Sequence, residues 1–152
     1  MAGHRYLFLL FCLFGFSHLS GQMVVGADTL IGNEWITYGQ KYFEFTIDID
    51  GVYRIPQSTL TSAGVSSSAT GSEIRIYSMG QQVPLYVSTD GVLGANDFIE
   101  FYGFKNKSEL DWHLFRHPDT DLLHPGHSMY TDQRVYYLTT EGDEQPLRVN
   151  TL

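Results

Sequence analysis

From Phe43 to Ile49 an apolar residue stands at every second position, with Glu44, Thr46 and Asp48 between them. Alternate side chains of a strand point to opposite faces, so Phe43, Phe45, Ile47 and Ile49 share one buried face while the polar residues meet water. A helix would scatter the same residues around its circumference. The Asp50-Gly51 step tolerates positive φ, and Val52 to Ile55 reads as β-branched and aromatic sequence, so the spacing predicts a hairpin joining Tyr42–Asp50 to Val52–Ile55.

The pattern continues with short elements and turn residues. Pro56 suits the first turn of a helix, with Leu60 and Ala63 on one side and Gly64-Val65 as a glycine C-cap with its apolar contact. Ser66 to Ser72, nearly all Ser, Ala, Thr and Gly, is expected to be a flexible loop. Glu73–Ser78 and Val83–Ser88 predict a second hairpin across Met79-Gly80-Gln81-Gln82. Pro84, which has no N–H to donate, places its strand at a sheet edge. Turns at Asp90-Gly91 and Gly94-Ala95-Asn96-Asp97 precede the strand Phe98–Tyr102, which Gly103 ends. On that strand Ile99 and Phe101 face the core, and Glu100 lies with Phe98 and Tyr102 on a solvated face. Ser108 with Asp111 three residues on resembles a helix N-cap ahead of Leu110, Trp112, Leu114 and Phe115. Arg134 to Thr140 is the last clear strand. The expected class is therefore all-β, a sandwich or jelly-roll-like domain with one or two short helices.

The ends and the composition narrow the function classes. His4 and Arg5 precede an apolar run from Tyr6 to Phe16, then small and polar residues to Gly21, the layout of a secretory signal peptide over 1–21. That run is about half the ~20 residues needed to span a bilayer, so no membrane span is expected. The remaining organisation reads as a linker over 22–34, a β-rich domain over 35–145, and over 146–152 the start of a further, truncated strand. The single cysteine, Cys12, lies in the leader and follows Phe11, where lipidation would need a small residue. The mature chain is thus expected to lack disulfides, thiolate metal sites and a cysteine nucleophile. The formal charge is −8, and −9 once Arg5 leaves with the leader, which excludes nucleic acid as a partner. Export to the periplasm, outer membrane or cell surface is the expected location.

Asp111, His113, His117, Asp119, Asp121, His124 and His127 form the densest set of potential ligands. His113 and His117 would share a metal on a helix, but Pro118 breaks a helix there and Pro125-Gly126 separates the other two histidines. Asp48, Asp50 and Gly51 resemble the start of a calcium loop whose distal Glu is missing. Ser128 beside His127 has no nucleophile elbow around it. Asn106-Lys107-Ser108 is a formal glycosylation sequon. Ten Tyr and ten Phe leave room for aromatics that stack on sugars or receive a peptide at a sheet edge. No catalytic, cofactor-binding or metal residue is assigned from these patterns.

Five motifs taken together carry a family resemblance: Asn33-Glu34-Trp35-Ile36 with Tyr42-Phe43; Asp50-Gly51-Val52-Tyr53-Arg54-Ile55; Gly80-Gln81-Gln82-Val83-Pro84-Leu85-Tyr86; Asn96-Asp97-Phe98-Ile99-Glu100-Phe101-Tyr102-Gly103; and Arg134-Val135-Tyr136-Tyr137-Leu138-Thr139. In order and spacing over 33–140 they resemble the N-terminal region of PorU-type proteins, gingipain-related cysteine peptidases that act as sortases of the type IX secretion system in Bacteroidota. The resemblance implies a non-catalytic N-terminal β domain, either a fragment of a longer product or a stand-alone module. Its implied partners are a downstream gingipain-like catalytic domain and other type IX secretion components. It also implies that the family's catalytic cysteine and histidine lie in a later caspase-like domain, so none of His113, His117, His124 and His127 takes that role. The full protein would process C-terminal sorting signals of exported cargo. The alternative reading is a stand-alone exported module that binds glycan or peptide.

Overall fold

The computed structural model describes residues 23–25, 28–30 and 33–149. The predicted leader lies outside them. The chain divides into two units between Glu34 and Trp35. In the first, β1 (Met23–Val25) pairs antiparallel with β2 (Asp28–Leu30), Val24 opposite Thr29. The segment expected as a linker therefore carries a two-stranded ladder.

The second unit is built from two antiparallel sheets. One has the order β3 (Phe43–Ile47), β9 (Arg134–Thr139), β5 (Arg75–Ser78), β6 (Gln81–Val83); the other runs β4 (Gly51–Pro56), β8 (Phe98–Gly103), β7 (Leu85–Val87). Their facing residues, among them Ile47, Ile76, Tyr136 and Leu138 from the first sheet and Leu85, Ile99 and Phe101 from the second, form one apolar core. The fold is all-β and sandwich-like, with two short α-helices, α1 (Gln57–Ser62) and α2 (Pro118–Asp121). Among the described residues no helix is long and apolar enough to cross a membrane.

The first predicted hairpin does not form. β3 pairs with β9, Phe43 opposite Leu138, while β4 pairs with β8, Tyr53 opposite Phe101. Asp48–Asp50 is instead a corner at which the chain leaves one sheet for the other. Gly51 does not take positive φ; that conformation falls at Gly39, Gly64, Gly80, Gly142 and Met79. Asp50 fixes the corner by its side chain, accepting the Lys105 N–H at 2.7 Å and pairing with Lys107 Nζ at 3.0 Å. The first of these bonds, helped by the second, lowers its pKa.

A hairpin does form at the second expected turn, but its return strand is Gln81–Val83; of the expected Val83–Ser88 arm, Leu85–Val87 pairs with β8 in the other sheet. Met79 (φ 50°) and Gly80 (φ 78°) make a two-residue turn with both central residues left-handed, so that Ser78 faces Gln81. Pro84 then ends β6, and the chain crosses to the second sheet as β7. Both strands are sheet edges, where the missing N–H breaks no ladder.

The helix after Pro56 closes as its sequence requires. The Val65 N–H reaches the Leu60 carbonyl and the Gly64 N–H that of Thr61, a Schellman pair, with Leu60 and Val65 both buried beside it. Ser66–Ser72 is pinned and not a free loop. Ala69 is buried, and the Gly71, Ser72 and Leu93 N–H groups bond the carbonyls of Gly91, Asp90 and Ala69. Trp35 covers the outer face of the first sheet against Tyr42, Tyr77 and Tyr137, with ring centroids 5.2–5.6 Å away.

Two arginines tie the C-terminal stretch to this frame. Arg75, buried, donates to the carbonyls of Glu73, Glu141, Gly142 and Glu144. Arg148 donates to those of Ile74 and Gly71, and burial lowers its pKa. Between them Leu85 exchanges backbone bonds with Leu147 and Val149, so Arg148 sits in a single parallel bridge beside β7. Of the strand expected over 146–152, the described residues hold this single bridge and no strand, and 150–152 lie outside them.

Candidate functional site

The potential ligand residues of the 111–127 region are dispersed by the local backbone. Asp111 is buried and accepts bonds from the Ser128 hydroxyl (3.3 Å) and the Met129 N–H (2.8 Å), so it holds the loop together. Asp121 accepts from the His117 N–H at the start of α2. His127 Nδ1 lies 2.9 Å from Lys105 Nζ and 3.3 Å from Asp132, whose carboxyl pKa is lowered, chiefly by its bond from Lys105. Among the described residues no three His, Cys, Asp or Glu side chains converge on a common point. Ser128 points to Asp111 and not to His127, which removes the nucleophile–base geometry that hydrolysis needs. Of the sequon residues, Ser108 is buried, its hydroxyl donated to the Pro125 carbonyl at 2.7 Å. The expected helix in this stretch is two 3₁₀ turns, Ser108–Leu110 and Trp112–Leu114, with Lys107 and not Ser108 at the N-cap.

Two surfaces are better organised. The first is the outer face of the three-stranded sheet. Tyr86 and Phe98 lie 6.1 Å apart, Tyr102 and Phe104 4.8 Å apart, and the Arg54 guanidinium sits 3.9 Å above the Phe98 ring while bonding Glu100 at 2.8 Å. Glu100 is thus on the solvent side of its strand, as the alternation predicts, and its partner Arg54 stands directly opposite on β4.

The second surface is a groove of about 580 Å³ at the open end of the sandwich. The Met79 turn, Gln81 to Pro84, Tyr102, Phe104 and Val149 form its walls; Arg134 and Tyr136 line it from β9. Tyr136 explains why the groove keeps its shape. Its ring packs on Phe45 and Phe101 at 5.6 and 5.7 Å, and its hydroxyl accepts the Phe104 N–H at 2.7 Å and donates to the Phe104 carbonyl at 2.9 Å. One side chain therefore fastens the end of β8, in one sheet, to β9 in the other.

Arg134 is the charged element of the groove. It is the first residue of β9, on the same side as Tyr136 and Leu138, which puts a guanidinium where the core opens to water. Its side chain is 12 % exposed, Nη2 meets the Glu109 carboxylate at 3.1 Å, and Nε is buried with no acceptor among the described residues. Sequence reasoning missed this site because it gathers residues from four separate stretches. The available signal was a basic residue at the head of an otherwise apolar strand.

No protein-family model, curated protein or solved structure matches the chain.

Proposed function

We propose that this domain is the non-catalytic N-terminal β module of a gingipain-like type IX secretion sortase, exported with it and serving a peptidase that processes the C-terminal sorting signals of cargo. The observation that carries the reading is that four of the five resembling motifs fall on structural elements of one sandwich. Asp50–Ile55 holds β4, Gly80–Tyr86 the β6–β7 crossing, Asn96–Gly103 holds β8 and Arg134–Thr139 is β9, so the motif spacing has a single architectural cause. The test is the size of the native protein, blotted from cells with an antibody raised against Gln22 to Leu152. A band several times the size of this chain supports the reading, and a band at the chain's own size overturns it.

The aromatic face of the three-stranded sheet favours a second reading, a stand-alone module for glycan or peptide. Tyr86, Phe98 and Tyr102 present rings on one solvated sheet face, the arrangement on which sugar rings stack. Glycan-array binding that is lost in Tyr86→Ala and Tyr102→Ala would support it.

A further inference from the structure

We propose that the groove at the open end of the sandwich is a receptor for the carboxyl terminus of a peptide, with the terminal carboxylate on Arg134 and the last apolar side chain against Tyr136, Phe104 and Val83. The inference stands on the groove's own geometry and holds whether or not the domain belongs to a peptidase.

The charge in the groove selects the ligand's head group. Lys105 and Lys107, which follow Phe104, are already paired with Asp132 at 3.2 Å and Asp50 at 3.0 Å. Arg134 has one carboxylate contact, through Nη2 alone, and its partner Glu109 is 52 % exposed on a 3₁₀ turn. A guanidinium binds a carboxylate best through two parallel N–H bonds, and a single-point contact to a solvated side chain leaves that capacity unused. One under-used cation matches one negative charge, which fits a carboxylate better than a phosphate. Glu109 then acts as an internal stand-in that an incoming carboxylate displaces.

The walls select the body. Val83, Pro84, Phe104, Tyr136 and the half-exposed Met79 are apolar, and a volume of about 580 Å³ lies within the range of pockets that hold small ligands. An aliphatic acid would satisfy these walls and the arginine. Gln82 is already held by Glu144, Gln145 and the Leu147 N–H, but an aliphatic acid would leave the exposed Gln81 unused at the rim, whereas the amides of a peptide's last residues are the groups such a side chain bonds. The open, hydrogen-bonding mouth thus favours a peptide end over a fatty acid.

The experiment titrates the purified chain with three probes, N-acetyl-Phe-Leu with a free carboxylate, its C-terminal amide and octanoate, while following the Arg134 Nε–H resonance and the heat of binding. Saturable binding of the free dipeptide, at least about tenfold tighter than its amide, is expected from one charge-assisted pair. Arg134→Gln should abolish that difference. Glu109→Gln removes the charge at a half-exposed position and keeps an amide oxygen for Arg134 Nη2, so it tests the idea even if Arg134→Gln fails to fold; it should tighten the free dipeptide several-fold by removing the competing charge. The proposal is overturned if dipeptide and amide bind equally, if nothing binds, if Glu109→Gln weakens binding, or if octanoate binds more tightly than the dipeptide, which would make the groove a fatty-acid site.

Discussion

Replacing Tyr136 by Phe isolates the link between the two sheets, because it removes one hydroxyl and leaves the ring contacts with Phe45 and Phe101 in place. Two hydrogen bonds are lost, from the Phe104 N–H at 2.7 Å and to the Phe104 carbonyl at 2.9 Å. Each contributes about 1 kcal/mol net, and a buried amide left without a partner costs about 1–3 kcal/mol. Phe104 is 45 % exposed, so its backbone regains hydration and the unpaired-amide cost is not added; the expected loss is about 2 kcal/mol, that of the two bonds. With a urea slope of about 2 kcal/mol per molar, the unfolding midpoint should fall by about 1 M at unchanged slope. Hydrogen exchange at the Phe104 amide should accelerate along with it. Tyr102→Phe, at a half-exposed residue, serves as the control and should stay within about 0.5 kcal/mol. A Tyr136→Phe midpoint within about 0.25 M of the parent, with Phe104 exchange unchanged, would refute the assignment of this hydroxyl as the tie between sheets.

Gly71→Ala should be more damaging, because a Cβ at that position is driven into the Thr89 carbonyl and against Val87; a loss of about 3 kcal/mol or more, or failure to fold, is expected by urea denaturation. Arg75→Met keeps the bulk of the side chain but leaves the Glu73, Glu141, Gly142 and Glu144 carbonyls without their donor, and should cost about 2–4 kcal/mol while raising exchange across 141–145. Stability should fall on both sides of neutrality. Asp50, Glu73, Asp132 and Glu144 have folded pKa values below their ordinary 3.8 or 4.5, so their contribution is full above those values and drains away as pH drops through the lowered ones. Burial and the bond to Glu144 push Tyr77 up from 10.0 to about 12, so its contribution is full below pH 10 and is lost as pH rises through 12. Thermal melts from pH 2 to 12 check both limbs, and Tyr77→Phe should flatten the alkaline one.

Local patterns were legible where one residue's environment settles its conformation. Period two at Phe43–Ile47 and Phe98–Tyr102 survives in the burial of alternate side chains, Gly64 caps its helix, and Pro84 marks the edge. Strand partnership was not legible at Asp50-Gly51. The same two residues serve a hairpin or a corner between sheets, and what decides is how well Phe43–Ile47 fits Arg134–Leu138, a comparison no local window contains. The serine-rich stretch misled for a related reason: its order comes from Gly91 and Asp90, outside its own composition. Nor did the groove announce itself, since Arg134 reads as a solvated strand head until Glu109, Phe104 and the Met79 turn close around it.

The corner at Asp50 also has a bearing on when the domain can form. β9 lies between β3 and β5, so the first sheet stays in two pieces until β9, the last of the sandwich's strands in sequence, arrives. A nascent chain that has reached only Thr131 can close the β5–β6 hairpin and the β4–β8–β7 sheet, but β3 has nothing to lie against. Such long-range closure places folding in the slower, millisecond-to-second class of small β domains. Commitment of this domain to its native state therefore waits on six residues that follow every other strand of its two sheets in sequence.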